Sequence, residues 1–161
     1  MRGIIADPCT RLTPTGQHLL SLFYDTLYTP LGTLTLEASE RGLSSIRFPN
    51  QPQPMAGKIA RSSVLKLAKR ELTAYFARQL RAFSVPLDWH GTAFQESVWQ
   101  ALTDIPYGET VSYADIARAI GRPRSARPTG GAVGRNPLPI IVPCHRVVGA
   151  DHTLTGFTGG L

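Results

Sequence analysis

Cysteine is scarce in this chain: Cys9 and Cys144 are the two thiols in 161 residues. Two cysteines could make one disulfide, but Cys9 lies in a proline- and threonine-rich start, so no disulfide scaffold is expected and a reducing compartment fits better. Long apolar runs are missing too. Nothing approaches the length of a membrane span, and Met1 to Gln17 lacks the apolar core of a signal peptide. Both absences point to a cytoplasmic protein with no membrane partner. The four histidines and two cysteines show no zinc spacing. The glycine-rich stretch 156–160 lacks the lysine and following helix of a phosphate-binding P-loop, so a lid over a pocket is the better reading of it.

Acidic residues are missing from one stretch in particular. Between Ile116 and Ala150 there is no Asp or Glu, while Arg118, Arg122, Arg124, Arg127, Arg135 and Arg146 all fall there. Over the whole chain 17 basic residues face 11 acidic ones, for a formal charge of +6. Arginine keeps its charge and can fork onto phosphate, so a one-sided cluster suits a polyanion. A solvated basic face is the other reading of charge alone.

The length allows one domain with a real core, or two small ones. Residues 1–17 read as a flexible arm. Short β-type runs follow, at Leu20–Tyr24, Leu34–Leu36 and Leu43–Phe48, separated by the turn material Pro30-Leu31-Gly32 and Glu40-Arg41-Gly42. They predict a small antiparallel sheet. Asn50 to Gly57 is a linker or loop. Apolar residues at helical spacing predict a helix over Val64–Leu80, and Phe83–Leu87 is a candidate short strand between two subdomains. Thr92 with Gln95 forms a capping-box pattern, which predicts a helix burying Phe94, Val98, Trp99 and Leu102 and stopping before Pro106.

Ser112, with Asp115 three residues on, predicts the start of a short helix over Tyr113–Ile120 that ends at Gly121. Ser125 is the expected cap of a second helix reaching about Gly134. Helix, glycine turn and helix of this size read as a helix-turn-helix, although a structural αα-hairpin has the same pattern. The second helix is short of large side chains: it holds Ala126, Gly130, Gly131, Ala132 and Gly134. Glycine weakens a helix, so something is expected to approach its backbone closely. A nucleic-acid groove with an inserted wedge fits, and so does packing on another helix.

Pro143-Cys144-His145-Arg146 is the most informative run. A thiol beside a histidine and an arginine is the pattern that lowers a cysteine pKa and keeps a thiolate ready to attack. Pro137, Pro139 and Pro143 cannot donate to a ladder, so Cys144 is expected at a loop or strand end. In a regular strand Cys144 and His145 would face opposite sides, so adjacency alone does not bring them into contact. Asn136 is placed to order this loop. Val147-Val148-Gly149 reads as a strand end.

Several stretches together resemble one family. They are Phe94-Gln95 with Val98-Trp99, Ile105 to Thr110 with Ser112-Tyr113, Ala126-Arg127, Asn136-Pro137, and Ile141 to Gly149. The family is that of the O6-alkylguanine-DNA alkyltransferases, the methylated-DNA–protein-cysteine methyltransferases. The resemblance runs from about Thr92 to Leu161 and more loosely back to Pro30-Leu31-Gly32. It implies an α/β N-terminal subdomain with an RNase H-like sheet over 18–88. A mainly α DNA-binding and alkyl-acceptor subdomain with a helix-turn-helix would occupy 89–161. It implies one-time transfer of an alkyl group from O6 of guanine, or O4 of thymine, to Cys144. His145 would help remove the thiol proton through water. Arg127 would fill the gap left by a flipped base, and Tyr113 would contact the flipped nucleotide. Gly130 and Arg146 would belong to the DNA and substrate surface, Asn136 would brace the site, and Val147 and Thr158 would hold the guanine. The implied partner is double-stranded DNA containing alkylated guanine, bound by a monomer, with no cofactor and no metal.

The chain departs from the family pattern in places. Members continue past the position of Leu161 into a last helix with a basic pair and a glutamate that is implied to orient the histidine. Here that carboxylate is expected to be missing, or the chain to be shortened. Pro128-Thr129 follows Arg127 where small or aliphatic residues are usual. A proline is tolerated in a first helical turn, yet it disfavours helical angles at the residue before it, Arg127. Phe157 stands where tyrosine is common. These departures motivate a second reading, a non-catalytic protein that binds alkylated DNA. A Cys-His hydrolase leaves the arginine-rich helix unexplained.

Overall fold

A computed structural model describes residues 22–53, 58–59 and 62–149. The arm 1–17, Cys9, Phe157, Thr158 and the glycine-rich loop around them lie outside the described residues.

Three antiparallel strands form first: β1 (Phe23–Thr29), β2 (Gly32–Ala38) and β3 (Leu43–Arg47). Gly32 closes the turn between β1 and β2 at φ +95, a conformation that favours glycine. A two-residue strand, β4 (Lys58–Ile59), adds parallel to β1, so the order is β3-β2-β1-β4. This edge falls just past the stretch read as a linker. Central β2 alternates: Leu34, Leu36 and Ala38 are fully buried, while Thr35 and Glu37 are satisfied by Gln53 and Arg47.

Helix α1 (Ser63–Phe76) buries Val64, Leu65, Ala68 and Leu72. It ends earlier than the apolar spacing predicts. Arg78 takes φ +61, Arg78 N–H donates to the Tyr75 carbonyl and Gln79 N–H to that of Ala74. That is a Schellman stop with arginine in the seat usually held by glycine, so no sequence signal marked it. Phe83–Leu87 is not a strand in its own right. Buried Glu71 takes its backbone instead, accepting from Ser84 N–H and Val85 N–H, while Leu43 and Leu87 make a single parallel bridge.

The second half is helical. α2 (Ala93–Thr103) carries the expected capping box between Thr92 and Gln95 and buries Val98, Trp99 and Leu102. β5 (Val111–Ser112) leads into α3 (Tyr113–Ala119), where Ser112 and Asp115 cap reciprocally. Gly121, at φ +70, turns the chain towards α4 (Ala126–Val133). Ser125 does not cap α4 with its side chain. The third helical position is Pro128, which has no N–H to offer it. Arg127 lies inside the helix despite preceding proline. Pairing along the helix, including Thr129 N–H to the Ser125 carbonyl at 2.9 Å, outweighs the local preference.

Trp99 ties these pieces together. Its indole N–H donates to the Ala132 carbonyl at 2.9 Å, which holds the far end of α4 on α2. Gly91 has no room for a Cβ, which would lie 2.7 Å from the Trp99 ring. Among the described residues no helix is long and apolar enough to cross a membrane.

Candidate active site

The chain leaves α4 through Arg135 and Asn136 and enters a loop built by its own backbone. Val142 N–H reaches the Leu138 carbonyl at 2.9 Å. Ile140 sits at φ +79, an outlier for a β-branched residue. Asn136 spans the loop, donating from Nδ2 to the Val142 carbonyl and accepting the Leu138 N–H, both at 2.9 Å. The loop is also fastened to the sheet, because Ile46 N–H of edge strand β3 donates to the Pro137 carbonyl at 2.8 Å.

Cys144 follows Pro143 and opens a 3-10 turn, Cys144–Arg146. The turn feeds β6 (Val147–Val148), which pairs in parallel with β5, Val111 opposite Val147 and Ser112 opposite Val148. This two-residue ladder seats Tyr113, the next residue after β5, close enough to Cys144 to feel its charge. Two of the residues singled out in the sequence, Tyr113 and Asn136, are therefore brought to the Cys144 thiol, and His145 follows it in the same turn. Val147 is buried directly after the turn.

The electrostatics differ from the expectation of a ready thiolate. Burial pushes the Cys144 thiol up from its ordinary 9.0. The Asn136 side chain and the backbone of Cys144 and His145 pull the other way without overcoming it. Neither the imidazole nor the Arg146 guanidinium is among the groups acting on the thiol. Burial, helped by the Arg146 charge, holds His145 below its ordinary 6.5, so the imidazole is neutral at neutral pH. Burial and the nearby Cys144 charge raise the Tyr113 phenol, which keeps its proton. The site thus holds a thiol, a neutral base and a phenolic donor.

Arg127 stands exposed near the start of α4. With Ser112, Tyr113, Ala114 and Ala126 it lines a shallow cleft of about 280 Å³. Gly130 faces the Tyr113 ring, where a Cβ would sit at 3.7 Å, an ordinary contact distance. At Gly131 a Cβ would meet only the end of Arg135 at 3.5 Å, and at Gly134 the Gly130 carbonyl at 3.6 Å. Packing inside the protein therefore does not demand glycine in this helix. Arg146 is engaged away from the arginine-rich helix: it donates to the Ile105 carbonyl at 2.9 Å and lies over the Tyr107 ring. Tyr107 falls in the Ile105 to Thr110 stretch of the resemblance, but the sequence reading gave it no role of its own. The signal available was an exposed aromatic between Pro106 and Gly108.

The model of the 6-O-methylguanine DNA methyltransferase ribonuclease-like domain matches residues 22–89, and that of the same family's DNA binding domain matches 93–161. A methylated-DNA–protein-cysteine methyltransferase of Methanosarcina barkeri is 43% identical over 143 residues, covering 87% of this chain and 90% of that protein. The constitutive methylated-DNA–protein-cysteine methyltransferase of Bacillus subtilis is 44% identical over 144 residues, covering 85% and 87%. Among solved structures, Mycobacterium tuberculosis OGT in complex with DNA superposes with a TM-score of 0.79 at 46% identity, covering 86% of this chain and 85% of that one. With two relatives of this kind matched over most of their length, the chain belongs to the 6-O-methylguanine DNA methyltransferase family.

Proposed function

We propose that this protein repairs DNA by accepting the alkyl group of O6-alkylguanine on Cys144, once per molecule. The observation that carries the reading is a half-buried thiol, acted on by the Asn136 side chain and neighboured by Tyr113, which lines one cleft with the exposed Arg127 of α4. A protein that only recognised the lesion would have no use for a reachable thiol there.

In this reading α3 and α4 act as a helix-turn-helix within a working unit over 89–161, and the sheet-bearing unit over 18–88 supports it. The bare outer face of α4, with Arg127, Gly131 and Arg135 along it, lies against the duplex. The O6 of a stacked guanine is out of reach, so the base leaves the stack, and Arg127 fills its place. Gly130 lets the nucleotide lie against the Tyr113 ring, while Val147 and Thr158 hold the guanine.

The thiol is a thiol at rest, so its proton leaves as the attack proceeds. It passes to neutral His145, through a water where the two do not touch. A carbon–sulfur bond forms as the carbon–oxygen bond to O6 breaks, and the electron pair goes to the base. Tyr113 meets that developing charge with its phenolic hydrogen. The thioether has no leaving tendency, so the protein is consumed. Arg146 serves from the back of the turn. The protein works as a monomer in the cytoplasm on double-stranded DNA.

The test is incubation with duplex DNA bearing a methyl-labelled O6-methylguanine. Label should move to the protein at up to one equivalent. Cys144→Ala should abolish transfer and leave DNA affinity largely intact. Full transfer by Cys144→Ala would sink the reading.

A further inference from the structure

Tyr107 is half exposed and contributes nothing to the buried core, yet its ring is heavily engaged. The Arg146 guanidinium carbon lies 5.3 Å from the ring centroid and that of Arg81 lies 5.5 Å from it. The Tyr75 ring meets it edge-on at 6.3 Å. The ring is presented by a built turn. Glu109 N–H donates to the Pro106 carbonyl at 3.2 Å, and Gly108 takes φ +87 with nothing near its missing Cβ. Glycine is there for the backbone angle of a type II turn, with Tyr107 at the preceding corner.

Two guanidiniums on one ring repel each other, so each needs a reason to stay. For Arg146 it is the ring face together with the Ile105 carbonyl, which takes one of its N–H groups at 2.9 Å. The Cys144–Arg146 turn needs such a tether, because it is three residues long and none of them is fully buried. Ahead of it stands the Asn136 brace and behind it the short β5–β6 ladder. Arg146 is its side-chain anchor to the rest of the molecule.

We infer that Tyr107 is a positioning residue for alkyl transfer: its ring pins Arg146 against the Ile105 carbonyl and so fixes where Cys144 and His145 sit. The inference rests on the functional reading above. Tyr75 of α1 and Arg81 beyond it extend the arrangement. Through this ring Tyr75 and Arg81 of the sheet-bearing half reach the Arg146 side chain of the turn that carries the nucleophile. The Arg146 charge that helps keep His145 neutral is held in place by the same contact.

The experiment is single-turnover transfer from duplex DNA with labelled O6-methylguanine at saturating DNA. Amplitude counts folded, competent protein; the rate constant reports placement. Tyr107→Leu, which removes the ring face, should slow the rate constant by about fivefold with unchanged amplitude and half-saturating DNA. Tyr107→Phe, which keeps the face, should run at the parent rate. Arg146→Lys should slow transfer to a similar degree, and the double variant Tyr107→Leu/Arg146→Lys should be no slower than either single one. A parent rate in Tyr107→Leu, an equal loss in Tyr107→Phe, or additive losses in the double variant would overturn the inference. If Tyr107→Leu loses amplitude, the comparison of Tyr107→Phe with Arg146→Lys decides in the same way. No label transfer by the parent protein is a separate result, and it strikes the functional reading itself.

Discussion

Asn136 and Val142 are joined side chain to backbone across the loop that precedes the nucleophile, the amide Nδ2 donating to the carbonyl at 2.9 Å. The same side chain accepts the Leu138 N–H, so one residue holds the loop closed at two points, and it acts on the Cys144 thiol against the effect of burial. Asn136→Ala leaves the Val142 carbonyl and the Leu138 N–H without their partner. Thermal or urea unfolding should show a loss of about 2–3 kcal/mol. Label transfer should slow further than the remaining folded fraction accounts for. Unchanged unfolding would mean that the loop holds itself.

The pH dependence follows from two opposite shifts. His145 is held below 6.5 in the folded protein. The unfolded chain therefore takes up this proton at higher pH than the folded one. The stability tied to the neutral imidazole is present above pH 6.5 and is lost as pH falls through the lower folded value. Cys144 is raised above 9.0. Its contribution is present below pH 9.0 and is lost as pH rises through the folded value. The transfer rate should fall to half only below pH 6.5, as the base becomes protonated. A rate that already halves at pH 6.5 would show an imidazole without the downward shift. Stopped-time label transfer across the acid range reads this directly.

Gly131 tests what the bare helix is for. It is exposed on the stripe shared with Arg127, and its place in α4 weakens the helix. Gly131→Ala should raise stability by about 0.5–1 kcal/mol, since a Cβ meets only the flexible end of Arg135. It should also weaken duplex binding, because the Cβ stands where the backbone would approach the groove. Melting and fluorescence anisotropy with duplex DNA separate the two effects. Tighter or equal binding by the stabilised variant would place the duplex elsewhere.

Thr129 is fully buried in α4, and its hydroxyl has no hydrogen-bond partner among the described residues. Thr129→Val keeps the shape and removes the stranded oxygen. The urea midpoint should rise, by about 1–2 kcal/mol of stability. A loss would reveal a partner for the hydroxyl.

Local chemistry made several elements readable. The boxes at Thr92 and Ser112 announced α2 and α3 because capping is settled by residues three apart. Gly121 announced the turn before α4 because its backbone angle favours that residue. Where a stop used an unusual residue, as at Arg78, apolar spacing overran the helix. At Ser125 the expected cap failed because the decisive atom was one that Pro128 lacks.

The site divides along the same line. The run Pro143 to Arg146, the arginine excess and the glycines of α4 were legible in the chain, because residue type and order alone specify a nucleophile, a charge and a bare surface. The state of the nucleophile was not. Sequence neighbours suggested a lowered thiol, whereas desolvation raises it, and desolvation depends on everything folded around the sulfur. The meeting of Tyr113 with Cys144 across the β5–β6 ladder, and of Arg146 with Tyr107, joins residues far apart along the chain. Only tertiary structure decides such contacts, because no local preference of either residue encodes the other.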